Sequence, residues 1–217
     1  MIKNLNKKLE NFRREFKKAE LDISSVNKDP FKQFESWFLD AMKLNLIDLN
    51  AMTLATVDEN GIPAARVVLL KNFDETGFTF YTNLLSEKAR EIKKNPNCAL
   101  VIYWAELERQ IRITGVAEKT SIRDAVKYFS TRPRESQIGA WASQQSEKVE
   151  IRKILELAFN EMKLKFKNKK IPLPPFWGGF KIVPTKFEFW QGRPNRLHDR
   201  ILFTKEKNIW KIERLMP

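Results

Sequence analysis

Between residues 51 and 119 short apolar runs alternate with tight-turn signals, and no other feature restricts the fold as much. Ala51-Met-Thr-Leu-Ala-Thr-Val57 reads as a strand and Asp58-Glu-Asn-Gly61 as a turn. Asn60-Gly61 is a strong hairpin signal, because both residues tolerate the positive φ that a tight reversal needs. Ala64 to Leu70 is the returning strand, and Gly77–Thr82, Cys98–Trp104 and Arg109–Lys119 add three more. Strands this short and this close together predict an antiparallel barrel or sandwich.

Helical patterns interrupt the strands. Residues 2–18 carry Leu5, Leu9, Phe12 and Phe16 at three- and four-residue spacing. Asp22 to Asp29 reads as a loop, and Pro30 opens a helix to about Leu44 that buries Phe31, Phe34, Trp37, Phe38 and Met42. Ser86 caps a short helix running to about Lys94. Further helices are predicted over Ser121–Ser130, Pro133–Ala142 and Glu147–Phe166. After the stiff Ile171-Pro-Leu-Pro-Pro175, strands resume at Gly179–Gln191, Leu197–Phe203 and Asn208–Arg214. The expected architecture is mainly β with α, a β-barrel core with helices inserted between strands and packed outside.

Composition narrows the function classes. The 217 residues include 40 Lys+Arg against 27 Asp+Glu, a net charge of +13 that suits nucleic acid, anionic membrane or phosphorylated small molecules. Much of the excess is lysine at helical spacing, as in Lys163 to Lys170, which reads as a solvated face. No apolar run reaches membrane-spanning length, and the N-terminus lacks the apolar core of a secretory signal. Cys98 is the one cysteine and His198 the one histidine, so neither an intrachain disulfide nor a Cys/His metal cluster is expected, and the cytoplasm is favoured. G-x-G-x-x-G, Walker and G-x-S-x-G motifs are absent, so any redox chemistry would need a cofactor held by the barrel.

Several polar segments stand out. Arg66-Val-Val-Leu-Leu-Lys71 has a base at each end of an apolar middle expected to be buried in the barrel wall. Tyr81-Thr82-Asn83 brings hydroxyls beside the helix start at Ser86, with Lys88 following, which suits either an anion or plain capping. Gln110 offers a donor and an acceptor, as a heterocycle edge requires. Tyr128, Arg132 and Ser136 recur every four residues around Pro133, which reads either as phosphate recognition or as a polar helix–helix corner. Gln144, Gln145 and Ser146 form a polar cluster at an expected helix start. In Arg196-Leu-His-Asp-Arg200 an extended backbone would put 196, 198 and 200 on one face, with Leu197 toward the core. That face could hold an anion and move a proton, or could be a solvated edge strand.

These segments together resemble the pyridoxine/pyridoxamine 5′-phosphate oxidase family. The resemblance is carried by residues 66–71, Phe80-Tyr-Thr-Asn83, Leu107-Glu-Arg-Gln110, the long run Lys127 to Trp141, Pro174 to Phe180, Glu188 to Gly192, Arg196 to Arg200 and Trp210 to Pro217. It runs from about residue 10 to the last residue. It implies a split β-barrel homodimer that binds FMN and uses O2 to oxidise pyridoxamine 5′-phosphate and pyridoxine 5′-phosphate, with no nucleic acid, membrane or metal partner. It places a helix and lid segment at 1–29 and the FMN-binding barrel at 30–217. Implied FMN contacts are Arg66, Val67, Val68, Leu69, Leu70, Lys71, Tyr81, Thr82, Lys88, Gln110, Gln145, Ser146, Trp190 and Arg200. The substrate set is Lys71, Tyr128, Arg132, Ser136, Arg196, His198, Arg13 and Asp48, with Arg196 and His198 catalytic.

Three positions depart from the family pattern. Glu87 stands where a basic residue is common, Phe16 where a tyrosine is common, and Lys18-Ala-Glu20 where a Gly-rich stretch is expected. A related FMN oxidase of another aromatic metabolite is the second reading, and it would have no need for the Lys71/Tyr128/Arg132/Ser136 set. A non-catalytic cofactor carrier or basic nucleic-acid binder is the third, and it would have no use for Arg196 and His198 together.

Overall fold

Alternation along the strands is what sorts side chains into a core. In β1 (Ala51–Val57) every second residue is buried, so Met52, Leu54 and Thr56 point inward. The computed structural model describes residues 2–11 and 14–217. β1 pairs antiparallel with β2 (Pro63–Leu69), from Ala51 opposite Leu69 to Val57 opposite Pro63. The hairpin loop is longer than a two-residue Asn-Gly turn. Asp58 organises it by accepting the N–H groups of Asn60 at 2.9 Å and Ile62 at 2.8 Å, and Gly61 takes φ 81°.

The remaining strands are β3 (Asn72–Asp74), β4 (Gly77–Asn83), β5 (Asn97–Trp104), β6 (Arg109–Lys119), β7 (Trp177–Gln191), β8 (Asp199–Glu206) and β9 (Ile209–Leu215). The sheet order is β2-β1-β5-β6-β7-β4-β3, with β8 on β7 and β9 on β8. The helices are α1 (Ile2–Asn11), α2 (Pro30–Met42), α3 (Glu87–Lys94), α4 (Ile122–Thr131), α5 (Arg134–Ala142) and α6 (Arg152–Lys165).

Two compact units divide the chain. One comprises Asn50–Val101 and Ile113–Thr185, and the other the chain up to Leu49, Ile102–Arg112 and Lys186–Pro217. In the first, β4 pairs with the opening half of β7, from Phe78 opposite Ile182 to Asn83 opposite Trp177. Beside this pair, Ala125, Phe129, Ile138, Phe166, Ile171 and Trp177 form a buried cluster that fixes α4 and α5. In the second unit Asp29 caps α2 by accepting the Phe31 N–H, with Pro30 at the first helical position. α2 buries Phe34, Trp37 and Ala41, and Trp37 meets Phe189 edge-on at 5.3 Å.

Several expectations are corrected here. Residues 14–18 are not helical, because a tertiary acceptor, Glu108, takes the N–H groups of Lys17 and Lys18. Met42 is exposed, and Ala41 takes the buried position at the end of α2. Ser86 sits at the N-cap of α3, but its hydroxyl donates to the Asn83 carbonyl and makes no side-chain cap. The middle of 66–71 is buried only at Leu70: Val67 is 66% and Leu69 41% exposed. β2 ends the sheet order and pairs only with β1, so among the described residues no strand lies beyond it.

Phe129 is 2% exposed within the cluster that holds α4 and α5. Phe129→Ala is expected to lower the unfolding free energy by about 3–5 kcal/mol through lost burial and a residual cavity. Urea denaturation followed by tryptophan fluorescence measures it.

Candidate functional site

A cavity of about 660 Å³ opens in the first unit, within the range of small-molecule sites. Its lining includes Lys71, Lys88 and Arg132 and no carboxylate. A neighbouring cavity of about 530 Å³ is different, because Asp74, Glu118 and Asp124 offset its lysines. The larger cavity therefore suits an anion, and the smaller has no such bias.

Three stacked rings hold one side of the larger cavity. Tyr81 lies 4.3 Å from Tyr128 and 5.4 Å from Trp177, with interplanar angles of 14° and 2°. Lys71 Nζ stands 6.0 Å from the Tyr128 ring, and the Arg132 guanidinium 5.1 Å from Trp177. Arg132 ends α4 and Ser136 lies in the first turns of α5, so the Pro133 break turns both toward the cavity. Arg132 Nη1 is, among the described residues, the buried side-chain polar atom without a hydrogen-bond partner. Burial also holds the Arg132 pKa below its usual value. A desolvated guanidinium with an unmatched donor is costly unless an anion completes it. A phosphate dianion fits this set, with the Lys71 charge and the Tyr128 and Ser136 hydroxyls on the same cavity.

A second polar group borders α3. Thr82 Oγ1 donates to Gln145 Oε1 at 3.0 Å, Lys88 Nζ reaches the same oxygen at 3.4 Å, and Ser146 Oγ accepts the Glu87 N–H at 3.2 Å. Gln144, Gln145 and Ser146 lie in the loop between α5 and α6, not at a helix start; Ser146 has φ 75°. Burial, then repulsion from Arg66, lowers the Lys88 pKa. An anion at this point would relieve both. Arg66 itself is held by Glu91 at 2.9 Å and by Thr56, with the Glu91 side chain 9% exposed. Glu87 is exposed at the helix start and does not displace Lys88 from Gln145.

The second unit holds the histidine. Residues 196–200 are not one extended face. Pro194–Arg196 is a 3₁₀ turn, Asn195 and Arg196 have φ 56° and 62°, and β8 begins only at Asp199. Leu197 is exposed and does not face the core. The turn instead brings His198 back so that its Nδ1 accepts the Arg193 N–H at 3.1 Å. In the neutral ring this leaves the proton on Nε2. His198 packs 4.7 Å from Trp190 and 5.5 Å from Phe16, edge-on to the latter. Burial and the nearby Arg196 lower the His198 pKa, against a smaller opposing effect of Asp199. Arg200, on β8, is tied to Glu188 at 2.9 Å and to the Met216 carbonyl at 3.0 Å. Gln110 is half-buried on β6 and Asp48 lies on an exposed turn with φ 50°. Phe12 and Arg13 lie outside the described residues.

Sequence reasoning missed Trp177 as a wall of the cavity and the buried carboxylates Glu91, Glu108 and Glu188. Glu188 sits between Phe187 and Phe189, a pattern that reads as a solvated strand position, and only its bonds to Arg112 and Arg200 reveal its role.

Comparison with known proteins bears on both units. A family model described as pyridoxamine 5′-phosphate oxidase matches residues 38–166. Another, described as the pyridoxine 5′-phosphate oxidase C-terminal dimerisation region, matches residues 177–217. A protein of Rippkaea orientalis named pyridoxine/pyridoxamine 5′-phosphate oxidase is 52% identical over 206 residues, covering 94% of this chain and 97% of that one. One of the same name from Hahella chejuensis is 52% identical over 211 residues, covering 97% and 100%. Among solved structures, PhzG from Burkholderia lata, in complex with tetrahydrophenazine-1-carboxylic acid, superposes with a TM-score of 0.86 at 25% identity, covering 93% and 100%. A pyridoxamine 5′-phosphate oxidase-related, FMN binding protein from Nostoc punctiforme shares the fold, with a TM-score of 0.72 at 19% identity and 88% and 100% coverage.

Arg66→Ala leaves the Glu91 carboxylate buried without its guanidinium. It is expected to cost about 3–5 kcal/mol of stability, and Glu91→Gln in the same background should recover part of it; denaturant melts of the three proteins decide. The single histidine allows a direct titration by its ring C–H proton resonances. Its pKa should fall below the ordinary ~6.5. The sign follows: the unfolded chain takes up this proton first as pH falls. The contribution to stability is therefore present above ~6.5 and lost as pH drops through the lower folded value.

Proposed function

The chain belongs to the pyridoxamine 5′-phosphate oxidase family, oxidoreductases of split-barrel fold, and we propose that it oxidises pyridoxamine 5′-phosphate and pyridoxine 5′-phosphate to pyridoxal 5′-phosphate. The cofactor in this reading is FMN and the electron acceptor O2, which leaves as hydrogen peroxide. The protein works as a homodimer in the cytoplasm; the match to a dimerisation region over residues 177–217 supports the dimer. The observation that carries the substrate assignment is the unmatched Nη1 of Arg132 in a cavity lined by three cations and no carboxylate.

FMN, when bound, supplies at N5 the hydride acceptor that no side chain provides. Arg66, Tyr81, Thr82, Lys88, Gln145 and Ser146 are the proposed contacts around α3. Gln110, Trp190 and Arg200 are proposed as FMN contacts on the resemblance alone. The strand 66–71 adds backbone and apolar contact through Val67, Val68 and Leu69, which line the cavity, and through Leu70. Lys71, Tyr128, Arg132 and Ser136 bind the substrate phosphate and so fix where the rest of the substrate lies. Asp48 and Arg13 stay with the substrate set as proposals carried by the resemblance alone. Arg196 and His198 act on the substrate ring. The neutral imidazole, held through Nδ1, presents an Nε2–H that can donate to a ring substituent or pass on its proton. Glu87 and Phe16 do not remove any of these groups.

An oxidase of a carboxylated aromatic is the second reading, favoured by the ligand of the PhzG structure, because a carboxylate would also complete Arg132. It leaves Lys71, Tyr128 and Ser136 with less to bind.

Purified protein should show a flavin absorption band that bleaches when pyridoxamine 5′-phosphate is added without oxygen. Arg132→Ala should weaken the phosphorylated substrate by about 2–4 kcal/mol through loss of a charge-assisted contact, and leave unphosphorylated pyridoxamine unaffected. Steady-state kcat/KM for the two amines checks this, and equal losses for both would remove the phosphate assignment.

A further inference from the structure

We propose that Glu108 is a positioning residue that ties residues 14–18 to Gln191–Gly192, so that Phe16 covers the imidazole of His198. Glu108 closes the 3₁₀ turn Ala105–Leu107 in the left-handed region, at φ 54° and ψ 37°. That conformation frees its two ends to serve different segments. The backbone carbonyl accepts the Gly192 N–H at 2.7 Å and Gln191 Nε2 at 3.1 Å. The carboxylate, 4% exposed, works on the other side. Oε2 accepts the N–H groups of Lys17 at 2.8 Å and Lys18 at 3.0 Å, and Oε1 pairs with Arg14 Nη2 at 3.3 Å. Arg14 also donates to the Ala105 carbonyl at 3.0 Å, and Lys18 Nζ to that of Glu106.

Phe16 lies between these anchors. Its ring is 5.6 Å from Trp190 and 5.5 Å from His198, edge-on to both. Gly192 is what lets it come so close, since a Cβ there would stand 2.7 Å from the Phe16 ring. A carboxylate this buried needs matched donors, and residues 14–18 supply three of them. Strap and carboxylate therefore stabilise each other.

The charged groups around the imidazole are Arg196 and Asp199, with Arg193 and Arg214 bonded to Asp199 and Arg14 over the Phe16 ring at 5.6 Å. None is itself substituted in the variants that follow; Glu108→Ala unpairs Arg14, whereas Gly192→Ala leaves that pair in place. The consequence for turnover rests on the reading that His198 meets the substrate; the positioning itself does not.

The test uses the full chain and two signals that need no substrate: the His198 ring resonance during a pH titration, and the rate of tryptic cleavage after Lys17 and Lys18. Glu108→Ala removes all three carboxylate contacts. Gly192→Ala leaves Glu108 in place and pushes Phe16 away. Both should move the His198 pKa up toward the ordinary ~6.5, and Glu108→Ala should also speed cleavage roughly tenfold, the effect of losing hydrogen bonds to a charged acceptor, with a smaller gain for Gly192→Ala. Glu108→Gln should fall between parent and Ala, because its one oxygen still accepts the backbone N–H groups while its amide opposes Arg14. A Gln variant that matches the parent in both signals overturns the proposal, and so does a folded Ala variant that does. If Ala does not fold, Gln and Gly192→Ala decide. Shifted signals in a protein that never bleaches with pyridoxamine 5′-phosphate would sink the proposed reaction and leave the positioning role standing. A working oxidase in which neither signal moves would do the reverse.

Discussion

Buried charge has to be matched, and this chain meets that constraint in one repeated way. Three glutamates are buried among the described residues, and each is held by arginine. Glu91 takes Arg66, Glu188 takes Arg200 and Arg112, and Glu108 takes Arg14 together with two backbone N–H groups. Removing the arginine from such a pair leaves a carboxylate that the interior cannot solvate. Arg132 breaks the pattern, since among the described residues no carboxylate answers it and its Nη1 has no partner. Lys88, half-buried and bonded to Gln145 and not to a carboxylate, is placed in the same way, and charges so placed suit a partner that arrives from outside.

Much of the fold can be read from the sequence because it is locally encoded. The bounds of β1 and β6 follow from apolar alternation ended by polar turns, and the start of α2 from Asp29 and Pro30. What failed depends on contacts between distant residues. The pattern Leu5, Leu9, Phe12, Phe16 suits a helix, yet Lys17 and Lys18 give their N–H groups to Glu108, far along the chain. Arg196 to Arg200 looks like a strand by side-chain pattern. Two successive positive φ values at Asn195 and Arg196 turn it instead, and nothing in the local pattern calls for an arginine in that conformation.

The candidate site shows the same division. Tyr128, Arg132 and Ser136 at four-residue spacing are visible in the sequence, but a phosphate clamp and a polar helix corner share that spacing. The distinction comes from what surrounds Arg132: Trp177 at its guanidinium, Lys71 across the Tyr128 ring, and no acidic side chain on the cavity wall. Trp177 lies far along the chain from these residues and shares no spacing with them. It reaches the cavity because β7 pairs with β4, which sets Trp177 opposite Asn83. Val67 and Leu69 carry a similar lesson, since alternation cannot tell a face covered by the same chain from one left open.

The net charge of +13 takes on a different meaning once the interior pairs are set aside. Arginines 109, 112 and 214 are each bonded to a carboxylate, so they contribute little to the field that a ligand meets. Much of the remaining positive charge lies on scattered surface lysines, while Lys71, Lys88 and Arg132 share one concave site. Scattered lysines act weakly over distances beyond the ~10 Å screening length in salt, whereas three cations in a walled cavity act together on whatever enters. A flat nucleic-acid surface would need its cations on an open face. A small dianion needs them where these three are, with stacked rings beside them to take an aromatic body. In the proposed reading, the arrangement that makes the cavity costly when empty of charge also selects the ligand: a phosphate would complete Arg132, and a ligand that also carries a ring would gain from Tyr81, Tyr128 and Trp177.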